Sequence, residues 1–184
     1  MHKFSVIKMN ESETFDLLKD YCLFRLNNSP VKEIKIKNLQ SPNPTPTNQK
    51  MRFLAHKWAG ELKSWTRLTD GKDFSIFTYN EFYNCVQQAF ECIKEINPRL
   101  IYGYFEFVSV CAIFSISTNI NGSNLDDICM YAAQYLHSSE KFLNFLYSQS
   151  GWQSFLTREY QKAKQAQKSL FNHWLTVLDE EFSM

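Results

Sequence analysis

Glycine and proline are scarce in this chain, five of each in 184 residues, which argues against an all-β protein built on tight turns. Charge of one sign is missing too. Twenty Lys and Arg against nineteen Asp and Glu give a net charge of +1, so a strongly basic nucleic-acid binder is excluded. Charged residues at 21% and hydrophobic residues at 44% also argue against disorder. The five cysteines, Cys22, Cys85, Cys92, Cys111 and Cys129, form no Cys-x-x-Cys pair, and His2, His56, His137 and His173 do not cluster with them. Neither a zinc site nor a disulfide framework is expected, and the thiols read as small buried apolar groups in a reducing compartment. Met1 to Asn10 lacks the apolar run of a signal peptide, and Leu178 to Met184 is not a hydrophobic tail. There is no phosphate-binding glycine loop and no nucleophile motif, since Gly103 and Gly122 form no fingerprint. Asp126 and Asp127 are adjacent and do not share a helix face. No enzyme activity, cofactor or metal is therefore expected. What the chain has in abundance is aromatic residues, 16% with 16 Phe, enough for bulky packing or an apolar recognition surface.

The length predicts one domain, and helical periodicity dominates it. Leu17, Leu18, Tyr21, Phe24 and Leu26 predict a first helix, with Asn10 and Glu13 as its capping box and an end near Asn27-Asn28-Ser29-Pro30. Residues 31–50 read as a flexible loop, with alternating prolines at Pro42, Pro44 and Pro46. Thr45 and Pro46 suit the N-cap and first position of a second helix, running to about Leu68 on the stripe Phe53, Leu54, Trp58, Leu62, Trp65 and Leu68. Thr78 and Glu81, flanked by Phe77 and Phe82, predict a capped and stapled third helix.

Asn97-Pro98 then predicts an N-cap and first turn for the segment Leu100 to Ser117, which is apolar on nearly every side. Glu106 and three serines interrupt it, and it is slightly short for a membrane span, so it reads as a central helix wrapped by others. Further helices are expected at Leu125–Leu136, around Phe142–Leu146, from Ser150 (capping with Gln153) through Leu156, and at Lys162–Leu178. The sum is an all-α bundle of about eight helices around one apolar helix, without internal repeats.

Four strings, in order along the chain, resemble the Bcl-2 family of apoptosis regulators. Leu17-Leu18-Lys19-Asp20-Tyr21-Cys22-Leu23-Phe24-Arg25-Leu26 is similar to the family's N-terminal homology region. Ile96-Asn97-Pro98-Arg99-Leu100-Ile101-Tyr102-Gly103-Tyr104-Phe105-Glu106-Phe107 resembles homology region 1. Phe145-Leu146-Tyr147-Ser148-Gln149-Ser150-Gly151-Trp152-Gln153-Ser154-Phe155 resembles homology region 2, and Ser169-Leu170-Phe171-Asn172-His173-Trp174 the segment before the family's membrane tail. Tyr79 to Phe90 looks like the helix before homology region 1.

The resemblance implies a single Bcl-2-like domain over 1–184, without a membrane anchor. It implies a pro-survival protein that sequesters the homology-3 helix of pro-apoptotic members in an apolar groove, through helix-in-groove recognition. It would be cytoplasmic and recruited to mitochondria through its partners, with no nucleic acid and no transmembrane insertion. The groove residues it implies are Trp65, Cys85, Gln88, Ala89, Asn97, Arg99, Leu100, Gly103 and Phe107. Asp20, Tyr21, Trp152 and Phe155 are its structural motif. Several positions also have plainer roles: Asn97 as a helix cap, Arg99 as a solvated charge, Gly103 as a helix-packing contact. One of Trp58 and Trp65 is expected in the core, and the other on the groove.

The sequence departs from the family in two places. The family's Asn-Trp-Gly-Arg stands here as Asn97-Pro98-Arg99-Leu100, which moves the arginine by one position, about 100° around a helix. Homology region 3 is only hinted at by Ala59-Gly60-Glu61, with His56 where the family has leucine. Two other readings stay open on these grounds: a Bcl-2-shaped scaffold that has lost its groove and binds a signalling protein, and a pro-apoptotic effector. Homodimerisation is left open as well.

Overall fold

A computed structural model describes residues 2–28, 44–59, 95–117 and 125–181, with side chains over 11–28, 44–58, 95–113 and 125–169. Every element among them is helical: α1 (His2–Asn27), α2 (Pro46–Ala59), α3 (Pro98–Ser117), α4 (Leu125–Ser138), α5 (Glu140–Ser148) and α6 (Gly151–Glu181). The all-α expectation holds. Six helices replace the expected eight among the described residues; the third expected helix, from Thr78, lies outside them.

The local start signals behave as expected where they are strong. Pro46 opens α2, and Thr45 Oγ1 accepts the Asn48 N–H at 3.2 Å. The helix therefore begins inside the loop expected over 31–50. α1 differs. It starts at His2, so Asn10 lies inside the helix and caps nothing, because neither proline nor glycine occurs in the first nine residues to stop it. The two helices expected from Ser150 and Lys162 are one. Gln161 to Lys168 consists only of Gln, Lys and Ala, all good helix formers, and α6 runs unbroken through them. Ser150 is not an N-cap either: its φ of 59 is left-handed, where an N-cap is extended. The cap the sequence did not advertise is Ser139, which is extended and accepts the Phe142 N–H at the start of α5.

Among the described residues α1 packs on α2, α3, α4 and α6, most extensively on α4 and α3; α3 also packs on α2 and α4, α6 on α2, and α5 on α4 and α6. The core is continuous, from Leu17, Leu18, Tyr21 and Cys22 of α1 through Ile101, Phe105 and Val108 of α3 to Leu136, Trp152 and Phe155. Burying each such large apolar side chain contributes roughly 1.5–3 kcal/mol. On α4 the buried residues are Ile128, Cys129, Ala132, Ala133 and Leu136, while Tyr131 and Tyr135 of the expected stripe are half-buried. No helix among the described residues is long and apolar enough to cross a membrane.

Between α1 and the start of α2 lies a cavity of about 500 Å³, with Glu13 and Asp16 in its lining. Burial, with a smaller contribution from Asp16, holds the Glu13 carboxyl above its ordinary value of 4.5. The folded state therefore binds its proton more tightly than the unfolded chain, and the ionised form costs stability that disappears as pH falls below 4.5. Glu13→Gln is expected to raise the urea midpoint slightly at pH 7 and to leave it unchanged near pH 4. An equal gain at both pH values would point to another cause.

Candidate functional site

The candidate site is one face of α3. Asn97 starts the helix as expected: its Oδ1 accepts the Leu100 N–H at 3.0 Å, and its carbonyl accepts the Ile101 N–H at 3.2 Å. From there 100° per residue divides the helix. Ile101, Phe105, Val108 and Ala112 project to one side and are wholly buried. Leu100, Phe107 and Val110 project to the opposite side, around Gly103, and are only half-buried, as is Ile96 just before the helix. Gly103 itself is buried, having no side chain to stand out between Leu100 and Phe107. The result is a half-buried apolar stripe at helical spacing, about three turns long.

Arg99 sits at the upper edge of this stripe and is exposed. Its guanidinium carbon lies over the Trp58 ring, 4.7 Å from the centroid. Trp58, half-buried at the end of α2, stacks on Tyr102 at 6.4 Å with 12° between the planes. Tyr102 stacks in turn on Phe155 at 6.1 Å and 21°. Burial, and less strongly Glu159, pushes the Tyr102 phenol far above its ordinary range, so it stays neutral. Its hydroxyl has no hydrogen-bond partner among the described residues; the ring stack, not a polar contact, sets its place.

Three polar links hold the bundle together, and one of them reaches α3. Asp20 accepts from Arg52 Nε at 2.7 Å and Nη2 at 2.5 Å, tying α1 to α2. Glu106, on α3 at the edge of this face, four residues before Val110, accepts from the Tyr21 hydroxyl at 2.6 Å and from Arg25 Nη2 at 2.5 Å, tying α1 to α3. Burial, and then the Glu106 carboxylate, pushes the Tyr21 phenol far up; it remains a donor at any physiological pH. Trp152 is wholly buried edge-on to Phe105 at 5.6 Å. Its Nε1 donates to Thr14 Oγ1 at 2.7 Å, and His137 Nε2 pairs with the same oxygen at 2.8 Å.

Of the groove residues expected from sequence, Asn97, Arg99, Leu100, Gly103 and Phe107 fall together on α3. Trp65, Cys85, Gln88 and Ala89 lie outside the described residues. Asp20, Tyr21, Trp152 and Phe155 are buried. Trp58 was a core-or-groove alternative in the sequence and belongs to the site through its contact with Arg99. The partners of Glu106 were not foreseen. The signal was there, since a lone acid in an apolar helix requires a buried partner, but the sequence does not say which cation it meets. Three thiols are buried, and those of Cys22 and Cys129 lie 3.9 Å apart. Their contact, then burial, raises the Cys22 thiol well above its usual value, which keeps it unreactive. Among the described residues no group of three or more His, Cys, Asp or Glu is arranged to hold a metal. No family model, curated protein or solved structure matches this chain.

Proposed function

We propose that this protein is a Bcl-2-like pro-survival regulator that receives the amphipathic homology-3 helix of pro-apoptotic family members on the open face of α3. The observation that carries the reading is the division of α3: one side wholly buried, the other an apolar stripe of Leu100, Phe107 and Val110 that is only half-buried. A stripe of that spacing is what an amphipathic helix with anchors at i, i+3/i+4 and i+7 meets. Arg99, exposed at its edge, supplies the cation for the partner's acid. His56 supports the pro-survival side of the reading over a killer. It holds the leucine position of homology region 3, yet it is exposed and packs its ring edge-on to Phe24, which makes a poor ligand helix of α2. Reaching mitochondria through partners belongs to the same proposal.

The test is calorimetric titration of the protein with a panel of homology-3 peptides, repeated with Gly103→Ala. Alanine exceeds glycine in helix propensity by up to about 1 kcal/mol. If Gly103 marks the floor of the groove, the variant keeps or gains stability while peptide affinity falls about 5- to 20-fold. If no peptide binds the native protein, the reading fails. If Gly103→Ala binds peptide normally but is less stable, Gly103 serves packing within the fold and not partner approach.

A further inference from the structure

The stack beneath Arg99 is more than packing. Trp58 cannot move far, because its ring also lies parallel to that of Tyr102, which is 1% exposed and rests on the fully buried Phe155. The indole is thus a fixed platform at the surface end of a column of rings rooted in the core. A guanidinium over an aromatic ring is held by the ring's negative face, while its five N–H donors stay available for other partners. Arg99 makes no ion pair with any carboxylate among the described residues. It also stands in the first turn of α3, where the helix dipole disfavours a cation and favours an anion. A carboxylate brought by a partner helix would answer both features together.

We propose that Trp58 is the positioning residue for acid recognition: it holds the Arg99 side chain in place, so that selectivity for an Asp or Glu on the partner helix depends on the indole as much as on the arginine. The inference rests on the groove reading above and adds what selects the partner. A free arginine must lose side-chain entropy to meet a carboxylate, and holding it beforehand removes much of that cost. The platform also compensates for the arginine's one-position displacement, because the contact point is set by where Trp58 stands on α2 and not by the register of α3 alone.

The experiment uses the full chain and two versions of one homology-3 peptide, one with its aspartate and one with asparagine there. The native protein is expected to prefer the aspartate peptide by about 5- to 20-fold, the range of one charge-assisted contact at a wet rim. Arg99→Ala should erase that preference. Trp58→Leu should erase most of it while leaving affinity for the asparagine peptide within about 3-fold, and Trp58→Phe should restore part. Circular dichroism of each variant separates folding defects from binding defects. A Trp58→Leu protein that keeps the full preference, or loses affinity for both peptides equally, overturns the positioning role. Equal binding of both peptides by the native protein overturns it too, while leaving the groove intact. Binding of neither peptide overturns the groove reading itself.

Discussion

Trp152→Ala is expected to lower the unfolding free energy by about 4 kcal/mol, within the roughly 3–5 kcal/mol that truncation of a buried Phe or Trp costs. The side chain is wholly buried, and its ring meets Phe105 of α3 at 5.6 Å, Phe142 of α5 at 5.9 Å and Phe155 of α6 at 6.0 Å. Those three rings cannot all close on the space it vacates, because each belongs to a different helix and each is itself fixed by other contacts. A hydrogen bond goes with it, from Nε1 to Thr14 Oγ1, although that oxygen keeps His137 as a partner. Trp152→Phe separates the contributions. It retains most of the ring volume, loses the N–H, and should cost about 1–2 kcal/mol. Urea unfolding followed by circular dichroism measures both. A loss below about 1.5 kcal/mol for the alanine variant would show that α5 and α6 collapse onto α3 without an anchor.

What the sequence made legible was local. Asn97-Pro98 and Thr45-Pro46 name helix starts because a cap needs only its own side chain and the next three residues. The same reasoning misplaced the start of α1, because Asn10 also satisfies a cap pattern where the chain has no cause to begin a helix. It divided α6 in two, because apolar periodicity fades from Gln161 to Lys168 while helix propensity does not. There the helix turns no apolar stripe inward: Lys164 to Ser169 are exposed, although the Lys164 ammonium lies over the Phe53 and Tyr160 rings. On the candidate site, Leu100, Gly103 and Phe107, which the resemblance implied as groove residues, share one face of α3, since 100° per residue is a property of the helix alone. The Trp58–Arg99 contact was not legible, because it joins two helices whose relative placement depends on the whole core.

Glu106 is the residue whose role the sequence most understated, and its removal is the other large effect expected. In composition it merely interrupts an apolar helix; in the structure its two oxygens receive the Tyr21 hydroxyl and the Arg25 guanidinium. Glu106→Ala leaves both donors facing an apolar interior without their acceptor. Breaking a buried pair this way costs roughly 3–5 kcal/mol. The lower end applies here, about 3 kcal/mol, because the Arg25 side chain is 24% exposed and can recover some hydration. Glu106→Gln keeps one acceptor oxygen but turns an amide toward the other donor, so it should fall in between, at about 1–2 kcal/mol. Arg25→Met decides whether the charge itself matters. With the guanidinium gone, Glu106→Ala should cost less than it does in the native background, by a coupling of about 1–3 kcal/mol in a double-mutant cycle. Because the pair is largely shielded from solvent, that coupling should change little between 0.1 and 0.5 M salt, where a surface pair would be screened away. A cycle without coupling would mean that the Tyr21 hydrogen bond alone holds α1 to α3. The same link bears on the groove: it fixes α3 to α1 beside Val110, so the rotation of the helix, and with it the direction of Leu100 and Phe107, is set at the edge of the stripe.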